Sequence, residues 1–272
     1  ADLLNQPLMD VIYEHSDHVI AVNEHIGPRL IQRQASVWGM WLARAAGHWG
    51  VEPQSWWFEN ARMIEPGVFG QQAPDDTRVM PPDLYRAMIL LGASMGATVY
   101  DFEPFWDLFD YDNSHCWRQV IYPTLMEVIR RKLIPTREQV MEKVKVAYQY
   151  EEVNDINTFH ERILRDVDWI GDKGYLSRAA YGLWERYLEH ELIPNKSRYY
   201  FIPLLPPKTP QPVLDQFPKV IRCNHCDSEE GYTRLLNQYY PEQPEQGNAW
   251  ITTINGHTLV MQTHENLYER QT

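Results

Sequence analysis

Cysteine is scarce: Cys116, Cys223 and Cys226 are the three in 272 residues. That is too few for a disulfide framework, and Cys223-x-x-Cys226 around His225 has no second pair to complete a four-ligand zinc site. Incidental thiols are the plainer explanation, so no metal and no cofactor is expected. Long apolar runs are missing too. Stretches such as Ala87–Ala93 fall far short of the ~20 residues that cross a bilayer, so no membrane partner is expected. Positive charge is short as well, with 25 Lys+Arg against 37 Asp+Glu and a formal net charge of −12. A phosphate backbone needs clustered cations, which argues against a nucleic-acid partner. The one dense basic patch, Arg130-Arg131-Lys132, fits a helix C-terminus, where cations offset the dipole. No Gly-x-Gly-x-x-Gly turn or P-loop occurs, which leaves nucleotide folds without support.

Aromatics, by contrast, are plentiful at 12%, with 10 Trp and 16 Tyr, a composition that excludes disorder. The length suits one large domain, or one domain with a small second module. Short apolar strands alternate with helical stretches. Val19–Glu24 predicts a strand, and the spacing of Val37, Trp38, Trp41, Leu42 and Ala45 predicts a helix over 35–49. Ser55–Glu59 reads as a second strand and Thr98–Glu103 as a third, with a helix opened by Pro81-Pro82 between them. A helix over 117–133 should kink at Pro123, and Thr136-x-x-Gln139 fits a capping box. Lys143–Tyr150 and Tyr199–Leu205 predict further strands, 157–165 and 175–192 helices. Five prolines between Pro203 and Pro212 predict a linker. Asn255-Gly256 between two alternating runs predicts a hairpin.

Strand–helix alternation argues for an α/β fold with parallel strands, and strands ending in carboxylates suggest a (β/α)8 barrel of the TIM type. Only five or six barrel strands are found where closure needs eight. The chain therefore reads as the later part of a barrel, over residues 1–206, within a longer enzyme. A Pro-rich linker with a short helix would follow over 207–246, and an antiparallel β module would start at 247–272.

Glu24, Glu59 and Glu103 form the candidate catalytic set, 35 and 44 residues apart, each spacing holding about one βα unit and a loop. Glycoside hydrolysis uses two carboxyls flanking the scissile bond. The plainer explanation of any one of them is a solvated strand-end charge. Trp56, Trp57, Tyr100, Phe105 and Trp106 surround them as candidate sugar-stacking groups, since sugar rings present CH faces that pack on aromatic rings. Core packing is the competing use, above all for Trp57. Asp101 shares strand parity with Glu103 and is a further candidate.

At these residues the chain resembles glycoside hydrolase family 98. The likeness runs through Val22-Asn23-Glu24, Trp38-Gly-Met-Trp-Leu-Ala, Trp49-Gly-Val-Glu52 with Trp56-Trp57, Leu91 to Glu103, and Lys143 to Tyr148. Gly247-Asn-Ala-Trp-Ile and Val260 to Asn266 look like the entry to that family's C-terminal β-sandwich. The resemblance implies a (β/α)8 barrel followed by a β-sandwich, and inverting, endo-acting cleavage of internal β-1,4 linkages. Galactose-containing blood-group glycans or xylans would be the oligosaccharide or polysaccharide partner. One Glu would act as acid while an Asp and a Glu activate the water. Glu103 matches the water-activating Glu, Glu59 stands where the family pattern has Asp, and Glu24 is the candidate acid. A secreted, periplasmic or cell-surface location follows from that substrate class. The alternative is a non-catalytic carbohydrate-binding protein on a barrel scaffold.

Overall fold

A computed structural model describes residues 6–25, 37–53, 82–102, 117–149, 202–222, 234, 237–241 and 248–263. Helix α1 (Gln6–Glu14) leads into β1 (Ile20–His25). Helix α2 (37–42) leads into β2 (His48–Pro53), and α3 (Pro82–Ser94) into β3 (Val99–Tyr100). These strands form one parallel sheet in the order β1-β2-β3. A π-helical turn, Trp117–Ile121, opens α4 (Tyr122–Arg131), and α5 (Arg137–Met141) precedes β4 (Val146–Gln149). Strand β5 (Leu204–Leu205), the short helix α6 (Gln211–Leu214) and β6 (Lys219–Arg222) complete a second parallel sheet, with β4 between β5 and β6. A barrel wound strictly in sequence would place β5 between the other two. The hairpin is β7 (Asn248–Ile254) and β8 (His257–Thr263).

Helix ends follow from local chemistry. The predicted helix over 35–49 stops at residue 42 because Arg44 takes a left-handed φ of 62°, and the Ala45 N–H turns back to the Met40 carbonyl. The second strand is therefore His48–Pro53, seven residues ahead of Ser55–Glu59, which lies outside the described residues. Gly96 at φ 95° ends α3 in the same way, with the Ala97 N–H bonding the Gly92 carbonyl. The break expected at Pro123 falls just before it, where the π turn meets α4, and the Thr124 hydroxyl bonds the Val120 carbonyl at 2.6 Å. The capping box of Thr136 and Gln139 forms as its residues dictate. Asn255 and Gly256 take φ of 49° and 78°, the left-handed pair that a two-residue hairpin needs.

One core joins the two sheets. Trp38, Trp41 and Leu42 of α2 pack with Trp49 and Val51 of β2 on one side, and with Val140, Val144, Ala147 and Leu205 on the other. Gly39 makes this possible: a Cβ there would lie 2.0 Å from the Leu204 carbonyl oxygen, so only glycine lets α2 rest on the β5 backbone. Arg137 reinforces the contact. Its guanidinium lies 5.2 Å from the Trp41 ring centre and donates to the Ala46 carbonyl at 2.9 Å. Desolvation lowers its proton affinity, and the Arg44 charge lowers it further.

The run Pro203–Pro212, expected as a linker, is instead packed. Leu204 and Leu205 are buried, Gln149 Nε2 donates to the Pro207 carbonyl, and the Tyr13 hydroxyl reaches Thr209 Oγ1. Prolines here shape a buried crossover, since a segment without N–H groups leaves fewer donors to satisfy. The hairpin also docks on the α/β unit: Leu259 joins Ala93, Val128 and Leu133, and Asn255 Nδ2 donates to the Lys132 carbonyl at 2.7 Å.

Candidate active site

The parallel ladder of β1 and β2 pairs Ala21 with Trp49, Asn23 with Val51 and Glu24 with Glu52. On β2, Trp49 and Val51 point into the core, and Val51 packs close to Gly92 of α3. Alternation then turns Gly50 and Glu52 to the opposite face. Strand β3 extends the row. Gly50 pairs with Val99 and Val51 with Tyr100, so one residue on, Asp101 comes level with Glu52. The Asp101 N–H donates to the Val51 carbonyl at 3.0 Å, which holds that alignment past the strand's formal end. Three carboxyl-bearing residues, Glu24, Glu52 and Asp101, thus stand side by side at the C-terminal edge of β1-β2-β3. Glu52 is half-buried and Asp101 exposed.

Gly50 sets the spacing of this row. A Cβ at that position would meet the Val99 carbonyl oxygen at 2.4 Å and the Val99 Cβ at 2.7 Å, so β3 is seated against bare β2 backbone. Edge carboxyls in parallel α/β sheets are where ligands meet the strands, because the loops that follow open outward there.

Tyr100, expected beside the sugar, shares the face of Val51. Its half-buried ring packs against both core clusters, and its hydroxyl donates to the Ala97 carbonyl at 3.2 Å. Burial pushes that hydroxyl far above the ordinary tyrosine range. Phe102, next in the chain after Asp101, meets Tyr85 of α3 edge-on at 6.1 Å. Glu59, Glu103, Trp56, Trp57, Phe105 and Trp106 lie outside the described residues, as do Cys116, Cys223, His225 and Cys226. Sequence reasoning missed Glu52. Placing the second strand at Ser55–Glu59 hid it, although Trp49-Gly-Val-Glu already alternates toward a terminal carboxylate. Among the described residues, no three His, Cys, Asp or Glu side chains converge as metal ligands would, and no helix is long and apolar enough to cross a membrane.

A family model described as glycosyl hydrolase family 98 matches residues 3–137, about half of the chain. No curated protein gives a significant match. Similar solved structures include the catalytic module of a family 98 glycoside hydrolase from Streptococcus pneumoniae TIGR4. In its complex with the H-disaccharide blood group antigen it is 18% identical with a TM-score of 0.62, over 98% of this chain and 46% of that one. The LewisY pentasaccharide complex gives 18%, 0.61, 97% and 45%, and the native form 18%, 0.57, 97% and 45%. Likeness at this identity carries the α/β fold, and the present chain spans less than half the length of these structures. With the family model over the segment that holds β1, β2 and β3, the chain belongs to glycosyl hydrolase family 98.

Proposed function

We propose that this chain is the part of an endo-acting, inverting glycoside hydrolase that carries its carboxylates, on a (β/α)8 barrel followed by a β-sandwich. Its substrates would be internal β-1,4 linkages in galactose-containing blood-group glycans or xylan-type polysaccharides, met outside the cell or at its surface. The observation that carries the reading is the row Glu24, Glu52 and Asp101 at one strand edge. Glu24 is the general acid, and Asp101 with Glu103 activates the water. Trp56, Trp57, Phe105 and Trp106 stack on the sugar.

Spacing supports inversion. Glu24 and Asp101 are two strands apart, so their Cα atoms are separated by roughly 9.6 Å at ~4.8 Å per strand. Carboxyls carried on such a frame suit the ~6.5–9.5 Å of inverting enzymes better than the ~5 Å of retaining ones, because a water must fit between base and sugar.

The test is digestion of a panel of blood-group oligosaccharides and β-1,4-xylans, read by mass spectrometry and anomeric proton NMR. Internal cleavage with the α-anomer appearing first is expected. Release of the β-anomer first would overturn inversion, and glycan binding without cleavage would move the chain to the non-catalytic class.

A further inference from the structure

Strand β3 is two residues long, Val99–Tyr100, and the carboxyl-bearing Asp101 follows it directly. So short a strand has few ladder bonds to hold it. Its end is placed by the bond from the Asp101 N–H to the Val51 carbonyl and by the packing of the Tyr100 ring. That ring has two supports. One is the main core shared by the sheets, and the other is a smaller cluster of Ala93 from α3, Val128 from α4 and Leu133. Leu90 and Ile134 pack at the margin of this smaller cluster, and so does Leu259 of β8.

The register of the hairpin brings Leu259 to that place. Leu259 pairs with Thr252, and His257 with Ile254. Cross-strand partners share a face, and Thr252 and Ile254 are buried. Leu259, itself half-buried, thus belongs to the docked face. Ile251, Thr253 and Thr258 alternate to the other face, which is exposed. At the tip, Asn255 Nδ2 bonds the carbonyl of Lys132, the chain neighbour of Leu133. The path from hairpin to carboxyl is therefore short: Leu259, the Ala93–Val128–Leu133 cluster, the Tyr100 ring, and one peptide link to Asp101.

We infer that Leu259 is a positioning residue for Asp101: the hairpin, packed through Leu259, steadies the Tyr100 ring and so the carboxyl beside it. This rests on the reading above in which Asp101 activates the water. Asp101 is exposed, so its placement comes from the backbone it sits on rather than from packing of its own side chain. Leu259 keeps water from the small cluster. Trimming it loosens that cluster, and the tyrosine ring loses one of its two supports. A general base is sensitive to such shifts, since a misplacement of about 1 Å costs up to ~10²-fold in rate.

Residue-resolved amide hydrogen exchange of the full chain reads this placement without any need of turnover. Exchange of the Asp101 amide follows local opening of its bond to Val51. Leu259→Ala should speed it about tenfold, ~1.4 kcal/mol. The Tyr148 amide, bonded to the Pro203 carbonyl in the second sheet, should keep its wild-type rate. Leu259→Met should match wild type because volume is kept, and Ile251→Ala, on the exposed face, should change nothing. Asn255→Gly keeps the left-handed turn and removes the Lys132 bond, so it should speed Asp101 exchange about threefold with the core untouched. On a cleaved glycan, Leu259→Ala should lower kcat about tenfold at unchanged KM, since the base acts on water in the transition state. A wild-type rate at the Asp101 amide in both Leu259→Ala and Asn255→Gly overturns the inference, as does equal acceleration at Tyr148, the mark of general destabilisation. Undiminished kcat in a Leu259→Ala chain that cleaves overturns it too. Faster Asp101 exchange in a chain that cuts no glycan upholds the positioning by the hairpin while the hydrolytic reading fails.

Discussion

Replacing Gly39 with alanine drives a methyl group into the β5 backbone. The new Cβ would lie 2.0 Å from the Leu204 oxygen, 2.5 Å from its carbonyl carbon and 2.7 Å from its nitrogen. These are main-chain atoms, so no rotamer change relieves the clash, and α2 must lift from β5 by roughly 1 Å in a core packed at crystal density. Overpacking of this kind costs about 1–3 kcal/mol, and a backbone-on-backbone clash belongs at or above the upper end. The helix gains about 1 kcal/mol from alanine over glycine, which leaves a net loss of about 2 kcal/mol. In a chain of this size each kcal/mol moves Tm by ~2–4 °C, so a fall of about 4–8 °C is expected by calorimetry or circular dichroism. Gly47→Ala is the matched control, since its nearest contacts would be 3.3 Å, at the Asp17 and Ser16 carbonyl oxygens. A Gly39→Ala protein that melts within about 1 °C of wild type would refute the seating of α2 on β5, and with it the shared core.

Asp101→Asn should lower turnover on any cleaved glycan by about 10²–10⁴-fold, the usual share of a general base. Tm should stay near wild type, because Asp101 is exposed and its backbone bond to Val51 survives; undiminished turnover removes Asp101 from the mechanism. Tyr100→Phe deletes the hydroxyl that bonds the Ala97 carbonyl and should cost about 1 kcal/mol in urea unfolding. Its pH signature is distinctive. Burial raises the folded tyrosine's pKa, while in the unfolded chain it stays at ~10. Only the unfolded chain then releases the proton above ~10, so wild-type stability is intact below that value and falls as pH rises past it. The phenylalanine variant should fall less between pH 9 and 11, and parallel decline of the two proteins would contradict the burial of that hydroxyl.

Features decided by a few neighbouring residues were legible in the sequence. Asn255-Gly256 needs two left-handed residues, Thr136 and Gln139 satisfy each other's backbone donors, and Pro82 opens α3; each forms as read. The helix read as far as 49, over the start of β2 at His48, has a local cause as well. Helix α2 ends at a left-handed Arg44, where glycine is the usual sign, so the apolar periodicity of 37–45 reads straight through the turn. The proline run at 203–212 misleads because its burial depends on partners far away in the chain, Gln149 and Tyr13 among them. For the site, Glu24 is legible as a strand-end carboxyl and Asp101 only through the parity it shares with Glu103. Their alignment with Glu52 is not, because alternation reveals which face a residue takes and says nothing of which residue stands beside it on the next strand.

That alignment is guarded by the residues around it. Tyr100 and Asp101 are adjacent, yet one is packed against two core clusters and the other is open to water. A slip of β3 by one residue against β2 would exchange them. The tyrosine ring would leave the core, losing about 1.5–3 kcal/mol of apolar burial. A carboxylate would enter between Val51 and the helices, at a cost of several kcal/mol unless it took a proton. Gly50 closes the same door sterically, since only the present register lets Val99 sit against a residue with no side chain. Core packing on one face of β2 and β3 therefore fixes the carboxyl row on the other. Substitutions at Val51 or Tyr100 that loosen this register should reduce activity without touching a carboxylate.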